Sequence, residues 1–475
     1  MKLSKLLTAS GIEYPRHLSD VEISSVTSDT RKIKEGSLFV CQTGTREDGN
    51  ERIDEAYARG AFAVISDKRP DADVFVPDAR YAEAKLCRTF YGQGIEGLHL
   101  IGVTGTNGKT SVTAMLRSIF NAAGEKTGSI GTLGSFSPSG EIPDAEGGNM
   151  TTPDAGRLYG ILSQMAADGA KYVFLEVSSH ALALKKADAL RFDVGIFTNI
   201  TRDHLDFHKT KENYFEAKKR IFELSRVGIV NADDEMLANI PDVLTCSARK
   251  NADFRASDIK YYGADGCGYV FSSELCRFGI ASRIAGRFTV MNTLCAAAGA
   301  VTLGVDPYYI KDGIWRLSTV PGRMERVALD GADFAVYIDY AHTPDALENL
   351  LMTARSFAKR IILVFGCGGE RDQGKRAEMA KIATRLADRV IITSDNRRGE
   401  PQSKIFDDIL AGVDKNSDHV LIEDRREAIE YAVRKARRGD VILLAGKGHE
   451  KYEINEHGKH PFCEELLVQK AYKMR

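Results

Sequence analysis

The chain has 475 residues, of which 43% are hydrophobic and 28% charged, a composition typical of globular proteins and not of disordered or membrane chains. Its 65 basic and 66 acidic residues give a net charge of -1, which provides no electrostatic field to hold a nucleic-acid backbone. Because a typical domain has ~150 residues, this length favours three domains and excludes a single small core.

The cysteines and the N-terminus both predict a cytoplasmic protein. The eight cysteines have no metal-binding spacing, which indicates reduced thiols and no disulfide framework. Residues 1–12 lack the apolar core of a secretion signal, and no window contains the ~18 consecutive apolar residues of a membrane span. We therefore expect no export and no membrane partner.

The first part of the chain alternates short apolar runs with helical patterns. Apolar runs at residues 37–41 and 61–65 flank a helix-like stretch at 53–59, which predicts a small α/β domain over residues 1–97. Another apolar run, at 98–103, then opens a second domain.

The second predicted domain, residues 98–320, has the pattern of a parallel sheet covered by helices. Apolar runs of strand length occur at 172–175, 194–197 and 227–230, with helical patterns between them. After a turn at 320–322, the same alternation resumes. It predicts a doubly wound, dinucleotide-binding-like third domain over 321–475, with strands at residues 335–338, 361–365, 390–393, 420–422 and 441–444.

A phosphate-binding loop lies between the first strand of the second domain and a helix predicted to begin at Thr110. Its residues are Gly105, Thr106, Asn107, Gly108, Lys109, Thr110 and Ser111, preceded by Thr104. Small residues let backbone N–H groups close around phosphate, Lys109 would neutralise the β and γ phosphates, and Thr110 would give its hydroxyl to Mg²⁺. Val103 stands where the strict pattern has glycine, so the loop is a variant.

A GTPase switch uses the same kind of loop and is the natural alternative. The sequence has no Asn-Lys-x-Asp segment after an apolar strand to recognise guanine. ATP is therefore the expected nucleotide.

Polar side chains follow two predicted strands of the second domain. Glu176 ends one strand, where α/β sheets hold their ligands, and could reach Mg²⁺. Ser178 and Ser179 follow it and could bind substrate or equally cap a helix. His204 follows the next strand, between acidic residues, which favours metal ligation or catalysis over a structural role. Lys218, taken alone, is typical of a charge on a solvated helix face.

In this order the motifs resemble those of the Mur ligases, in the branch that makes the muramyl tripeptide of peptidoglycan. The similarity extends over the whole chain. It covers residues 27–31, 36–40, 104–111, 151–153, 176–182, 199–206, 214–218, 321–325 and 339–345.

The resemblance implies that ATP phosphorylates the D-Glu carboxylate of UDP-N-acetylmuramoyl-L-Ala-D-Glu, and that the amine of an amino acid then displaces phosphate. It implies a carbamate on Lys218, which replaces a cation with an oxygen ligand, and two Mg²⁺ ions held by Thr110, Glu176, His204 and Lys218. Lys109, Glu176, His204 and Lys218 are the expected catalytic residues.

The resemblance also assigns binding residues. Asn292, Arg323 and Asp339 join the phosphate loop in binding ATP. The expected contacts to the muramyl dipeptide are Ser28, Thr151, Thr152, Ser178 and Lys186. Family members often have Gln and Arg where this chain has Leu184 and Lys186, and lysine does not reproduce the bidentate fork of arginine.

For the incoming amino acid, the resemblance points to the third domain. The expected residues are Arg371, Asp395, Asn396, Arg397, Arg398, Gly446 and Glu450. The diaminopimelate version of the family motif reads Asp-Asn-Pro-Arg, and here Arg397 replaces proline while Arg398 is kept. A guanidinium pairs well with a carboxylate, and meso-diaminopimelate has a distal carboxylate that L-lysine lacks. Arg398 therefore favours meso-diaminopimelate over L-lysine. The alternative is that both arginines are solvated loop charges.

Two further hypotheses remain open. A related ligase acting on folate or another acidic acceptor would share the central machinery. A protein of another class, a nucleotide-regulated binding protein without turnover, would keep the fold. The expected state is a monomer.

Overall fold

The computed structural model describes residues 1–15, 18–44, 47–143 and 150–475. The chain forms two compact units. The first comprises Met1–Thr104, Gly124–Phe197 and Glu216–Gly228, and the second comprises Gly105–Ala123, Thr198–Phe215 and Ile229–Arg475. Within the described ranges, no helix combines the length and the apolar character needed to cross a membrane.

The helices and strands follow one another in mixed α/β order. The elements up to residue 142 are α1 (Leu3–Ala9), β1 (Ser25–Thr27), β2 (Ser37–Val40), α2 (Ile53–Ala58), β3 (Ala61–Ser66), β4 (Val74–Phe75), α3 (Ala79–Tyr91), β5 (His99–Thr104), α4 (Lys109–Ala122), β6 (Thr127–Gly131), β7 (Gly134–Ser137) and β8 (Gly140–Ile142). The next are α5 (Ala155–Ala167), β9 (Tyr172–Glu176), α6 (Ser179–Ala183), β10 (Phe192–Phe197), α7 (Leu205–His208), α8 (Lys211–Lys219), β11 (Ser225–Asn231), β12 (Leu244–Ser247), β13 (Phe254–Tyr261), β14 (Cys267–Ser272), β15 (Arg277–Ser282), α9 (Arg287–Thr302) and α10 (Pro307–Arg316). The last are β16 (Glu325–Arg326), β17 (Ala335–Asp339), α11 (Pro344–Arg355), β18 (Arg360–Phe365), α12 (Gly374–Leu386), β19 (Arg389–Ile392), α13 (Gln402–Leu410), β20 (His419–Leu421), α14 (Arg425–Lys435), β21 (Asp440–Ala445), β22 (Tyr452–Asn455), β23 (Gly458–Pro461) and α15 (Glu464–Lys473).

The first unit contains two sets of hydrogen-bonded strands. One is a parallel sheet in the order β1-β2-β3-β4. The other has the order β10-β5-β9-β6-β7-β8, in which β10, β5, β9 and β6 are parallel and β7 and β8 are antiparallel. Parallel strands direct their carboxyl ends to one edge, so Thr104 and Glu176 end neighbouring strands there.

The second unit also contains two large sets of strands. β11, β12 and β13 are parallel, and β14 and β15 extend the same set as an antiparallel meander. The other set has the order β16-β17-β21-β18-β19-β20, in which only the edge strand β16 is antiparallel among the described residues.

The sheet around β18 separates two hydrophobic cores, as in a doubly wound fold. Along β18, Ile361, Leu363 and Phe365 pack into one core with residues of α11, α12 and α13. The alternate residues Ile362 and Val364 pack into the other core with residues of α14 and α15. Because successive strand side chains point to opposite faces, one apolar strand serves both cores.

The fold class predicted from the sequence is confirmed. The predicted strands are present to within two residues at each end, and the helix after the phosphate loop begins at Lys109, one residue before the predicted start. All eight cysteines are unbridged. The predicted domain bounds, 1–97, 98–320 and 321–475, stay predictions.

Candidate active site

Two glycines shape the phosphate loop between β5 and α4. Gly105 and Gly108 have φ angles of 146° and 88°, which L side chains rarely adopt. A Cβ at Gly105 would lie 1.9 Å from Oγ1 of Thr198, and one at Gly108 would lie 2.6 Å from Oδ1 of Asn292. The loop therefore packs too closely against its surroundings to accept a side chain at either position.

The cationic side chains of this loop region are held by neighbouring groups. Nζ of Lys109 donates to the carbonyls of Gly105 and Thr106, at 2.8 and 2.9 Å. Arg323 donates from Nη2 to Oγ1 of Thr110 at 3.3 Å. The structure thus brings Lys109, Thr110 and Arg323 together, and their role in binding a triphosphate stays a prediction. Ser111 is buried in the first turn of α4.

Asp339 holds the turn that carries Arg323. Its carboxylate accepts hydrogen bonds from the backbone N–H groups of Met324 and Ala341, at 2.7 and 2.8 Å. Burial raises the pKa of Asp339, and the positive charge of Arg323 opposes that change. The guanidinium of Arg323 also lies over the ring of Tyr340, 4.7 Å from its centroid.

His204 stands beside a buried carboxylate that attracts several cations. Its Nε2 lies 3.3 Å from Oδ2 of Asp203, and Nζ of Lys375 lies 4.0 Å from Oδ1 of the same residue. Burial raises the pKa of Asp203, but the charges of His204, Lys375 and Lys109 outweigh it, so the net direction is downward. Asp203 therefore remains ionised.

His342 lies near this carboxylate and is neutral. Burial lowers its pKa to about 4, and the charge of Lys375 acts in the same direction. Its Nδ1 lies 2.7 Å from the carbonyl oxygen of Tyr340. Because the carbonyl only accepts, Nδ1 carries the proton and Nε2 is left as an acceptor.

In the first unit, Glu176 is fixed by Thr132. The carboxylate of Glu176, only 2% exposed, accepts from the backbone N–H of Thr132 at 2.9 Å and from its hydroxyl at 3.0 Å. A Cβ at Gly131 would lie 2.2 Å from Oε1 of Glu176. The carboxylate therefore occupies the space that a side chain at residue 131 would need.

Three of the predicted dipeptide-binding residues gather around Glu176. The hydroxyl of Thr152 donates to the carbonyl of Glu176 at 2.8 Å and accepts from the N–H of Ser178 at 2.9 Å. Oγ1 of Thr151 lies 3.1 Å from Oγ1 of Thr132. Ser178 also caps α6, so both roles considered for it from the sequence are compatible.

The remaining dipeptide-binding candidates have their own partners in the first unit. Nζ of Lys186 donates to Asp154 at 2.7 Å. Ser28 is hydrogen-bonded to the buried Glu83, whose pKa burial raises and this bond lowers. Neither residue contacts Glu176 through these bonds.

Lys218 is buried. It is 1% exposed, whereas the side chain of the adjacent Lys219 is 41% exposed. The solvated helix face suggested by the charge pattern alone is therefore wrong for Lys218.

Arg398 and Asn396 organise the predicted amino-acid site. Arg398 has a φ of 54° and donates from Nη1 to the carbonyls of Gly369 and Asn396, at 2.9 and 3.1 Å. Burial lowers the pKa of Arg398, and the charge of Arg371 adds to that effect. The side chain of Asn396 donates to Glu450 at 2.7 Å and accepts from Lys447 at 3.0 Å.

The acidic residues of this site differ in environment. Burial raises the pKa of Asp395, but Lys447 and Arg425 outweigh it and lower the pKa overall. The pKa of Glu450 is raised by burial and by the charge of Asp395. A Cβ at Gly446, whose φ is 119°, would lie 2.6 Å from Oδ2 of Asp395, so glycine is required beside this carboxylate.

The guanidinium of Arg397 has a different partner from that of Arg398. Its guanidinium forms an ion pair with Glu456, in the turn between β22 and β23. The interpretation of Arg397 and Arg398 as a pair of solvated charges is therefore wrong, because one is ion-paired and the other is hydrogen-bonded and partly buried.

The predicted metal ligands are distributed over both units. Glu176 and Lys218 belong to the first, and Thr110 and His204 to the second. Across the described part of the chain, no three His, Cys, Asp or Glu side chains gather as a metal site.

Sequence reasoning missed several residues of these clusters. Thr132 and Lys375 carry no motif, because a threonine after a strand and a lysine in a helix are common everywhere. Asp203 and Lys447 lie in predicted site segments, directly before His204 and directly after Gly446, but the sequence assigned no role to either residue.

Models of known domain families match three parts of this chain. A model of the Mur ligase middle domain matches residues 103–300, one of the Mur ligase glutamate ligase domain matches residues 322–448, and one of the Mur ligase family catalytic domain matches residues 22–88. The chain belongs to the Mur ligase family.

Relatives that align over nearly the whole chain carry the name of one particular ligase. A UDP-N-acetylmuramoyl-L-alanyl-D-glutamate–2,6-diaminopimelate ligase of Syntrophomonas wolfei is 39% identical over 96% of this chain and 95% of its own. A ligase of the same name from Clostridium acetobutylicum is 39% identical over 100% and 99%. A solved structure with that name has 32% identity and a TM-score of 0.66, and covers 98% of this chain and 99% of its own.

A more distant structure shares the fold alone. MurF ligase from Thermotoga maritima, solved in complex with ADP, is 20% identical, with a TM-score of 0.62 and coverage of 95% of this chain and 97% of its own.

Proposed function

We propose that the protein is the ATP-dependent ligase that joins meso-diaminopimelate to UDP-N-acetylmuramoyl-L-Ala-D-Glu. The main support is that relatives named for this reaction align over nearly the whole chain, while Arg398 is retained in a motif whose proline is replaced by Arg397. The predicted bounds, 1–97, 98–320 and 321–475, would then separate the parts that bind the nucleotide-sugar acceptor, ATP and the amino acid.

The phosphate loop is proposed to bind the triphosphate of ATP. Its N–H groups lie at the start of α4, where the helix dipole favours anions. The ammonium of Lys109 would exchange two carbonyl partners for phosphate oxygens. Asn292 and Arg323 are proposed to contact the nucleotide, because each already touches this loop region. Asp339 would keep Arg323 in place.

Glu176, His204, Thr110 and Lys218 are proposed to hold Mg²⁺. The fit is supported by the burial of Glu176 and Lys218, because a buried ammonium is unfavourable and a carbamate would convert it into an oxygen donor. When bound, Mg²⁺ would neutralise charge on the phosphates. The chain's own contribution is to hold the Glu176 carboxylate in one orientation through Thr132.

Gly131→Ala tests that orientation. We expect ligase turnover to fall about tenfold or more, because the added methyl would displace the Glu176 carboxylate, and supporting contacts of metal ligands have effects of this size. Turnover and melting temperature would be measured together. Gly160→Ala in α5, where no atom lies within 4 Å of the added Cβ, is the matched control. Unchanged turnover in Gly131→Ala would contradict the role of Glu176.

The acceptor is proposed to bind along the first unit. Thr151, Thr152 and Ser178 lie around Glu176, and their hydroxyls would bind the dipeptide. Lys186 would bind an acidic group of the acceptor in place of Asp154, and Ser28 would contact the nucleotide-sugar end.

The amino-acid pocket is proposed to recognise two opposite charges of meso-diaminopimelate. The guanidiniums of Arg398 and Arg371 would bind the distal carboxylate, and Glu450 and Asp395 would bind an ammonium. Gly446 leaves room beside Asp395. Arg397 would support the pocket through Glu456 rather than contact the substrate.

The reaction would follow in two steps. A carboxylate oxygen of D-Glu attacks the γ phosphorus of ATP, which releases ADP and leaves an acyl phosphate. The free amine of the amino acid then attacks the acyl carbon, loses a proton and releases phosphate. Lys109 and Arg323 would stabilise the charge that develops on the phosphoryl oxygens.

A coupled assay tests this function. Purified protein would be given ATP, Mg²⁺ and UDP-N-acetylmuramoyl-L-Ala-D-Glu, with meso-diaminopimelate, L-lysine or L-ornithine in parallel. We expect phosphate release and tripeptide formation that require both acceptor and amino acid, with meso-diaminopimelate the best substrate. A higher kcat/KM for L-lysine would contradict the assignment of Arg398. Phosphate release that never depends on both substrates would favour a nucleotide-regulated binding protein.

A further inference from the structure

The phosphate loop is contacted by the first turn of α11. Nδ2 of Asn107 donates to Oδ2 of Asp345 at 2.9 Å, although 238 positions separate the two residues in the chain. Both belong to the second compact unit, but α11 lies in the predicted amino-acid-binding part and Asn107 in the ATP-binding part. This hydrogen bond therefore links the predicted ATP-binding and amino-acid-binding parts of the chain.

Asn107 is otherwise fixed through its backbone. Its N–H donates to Oδ1 of Asn199 at 2.9 Å. Its carbonyl accepts from the hydroxyl of Thr198 at 2.6 Å and from the amide of Asn199 at 3.0 Å. The main chain of Asn107 is therefore held at both its N–H and its carbonyl. The hydrogen bond to Asp345 then fixes the conformation of the Asn107 side chain.

Asp345 is in turn held by its own helix. Pro344 begins α11, and the hydroxyl of Thr343 caps it by accepting from the N–H of Ala346 at 3.3 Å. The amide of Asn349 donates to Oδ1 of Asp345 at 3.2 Å, so each carboxylate oxygen has a different amide partner. The carboxylate is thus aimed at the loop by a capped helix.

Within the described residues, the charge of Asp345 has no ionic partner. Among the residues that the structure describes, no Lys, Arg or His lies within ion-pair distance of it. Burial raises its pKa, and the bond from Asn107 opposes that change. An anion beside a phosphate loop repels a triphosphate, so any benefit of this carboxylate must come from the hydrogen bond and not from its charge.

We infer that Asp345 is a positioning residue, which fixes Asn107 of the phosphate loop and so makes the geometry of the loop depend on where α11 lies. This inference rests on the proposed ligase function. Asp345 would touch no substrate itself and would act only through Asn107.

The test compares four variants in the coupled assay with meso-diaminopimelate. We expect Asp345→Ala to lower kcat about tenfold, the scale of losing one hydrogen bond to a charged group, and Asn107→Ala to do the same. The double variant should be no slower than either single variant, because both remove one interaction. Asp345→Asn should keep kcat near wild type, since an amide oxygen still accepts the bond, and should not raise the KM for ATP.

Glu348→Ala, which removes another acidic side chain of α11 that pairs with Arg385 at the surface, is the matched control and should turn over normally. Melting temperatures would identify any variant that loses activity through unfolding. Wild-type kcat in Asp345→Ala, equal impairment in Asp345→Asn, or losses that multiply in the double variant would each overturn the inference. Failure of the proposed function is distinct, because the wild-type protein itself would then make no tripeptide.

Discussion

Replacing Lys218 with alanine is expected to reduce ligase turnover by about a thousandfold, and small carboxylates should restore part of it. The scale is that of removing one preorganised group that stabilises charge in a transition state. Lys218 is buried to 1% exposure, so the change removes an interior group and not a surface charge. If the lysine carries a carbamate, a formate or acetate ion that enters the vacated space supplies the same kind of oxygen ligand.

The measurement is kcat in the coupled assay, with and without added formate or acetate at constant ionic strength. Lys219→Ala is the matched control, because that neighbouring lysine is largely solvated and forms a surface pair with Glu216. Full activity in Lys218→Ala would remove the carbamate from the mechanism. Loss without any recovery by carboxylates would indicate a structural lysine instead.

Replacing Arg398 with alanine is expected to lower kcat/KM for meso-diaminopimelate about a hundredfold, with a much smaller effect for L-lysine. Breaking one charge-assisted pair in a partly buried site has effects of this size. Nη1 of Arg398 is already bonded to two carbonyls, which orients the rest of the guanidinium. L-Lysine has no distal carboxylate, so it loses little when the guanidinium is removed.

The informative quantity is the ratio of kcat/KM for the two amino acids. Arg398→Lys should keep the charge but lose the bidentate geometry, and should therefore recover only part of the preference. Arg385→Ala is the control, because Arg385 pairs with Glu348 on the surface of the same part of the chain. An equal loss for both amino acids would mean that Arg398 supports the loop and does not select the substrate.

The sequence was sufficient for the strongly apolar parallel strands, but not for the antiparallel ones. It also missed five shorter or less apolar strands that pair in parallel with a neighbour, namely β1, β4, β6, β12 and β13. β18 and β21 are buried on both faces, so each reads as a continuous apolar run with clear limits. β14 alternates buried and partly exposed residues, and β15 is largely exposed. A search for apolar runs does not find such strands, because half of their side chains face solvent.

Part of the candidate site could likewise be predicted from the sequence, and part could not. The phosphate loop could be predicted because its chemistry needs glycines, a lysine and a hydroxyl at fixed spacing. The roles of Thr132 and Asp345 could not, since each depends on a contact between residues far apart in the chain, Thr132 with Glu176 and Asp345 with Asn107. For Lys218, burial is decided by how α8 packs, and its local charge pattern indicated the opposite.

The alternation of β18 between two cores also limits how related enzymes can diverge. Inserting or deleting one residue in this strand would turn every following side chain towards the wrong core, so its length is effectively fixed. The loop after β19, which carries Arg397 and Arg398, has no such restriction. Selection for a different cell-wall amino acid could therefore change the sequence of that loop without changing the sheet.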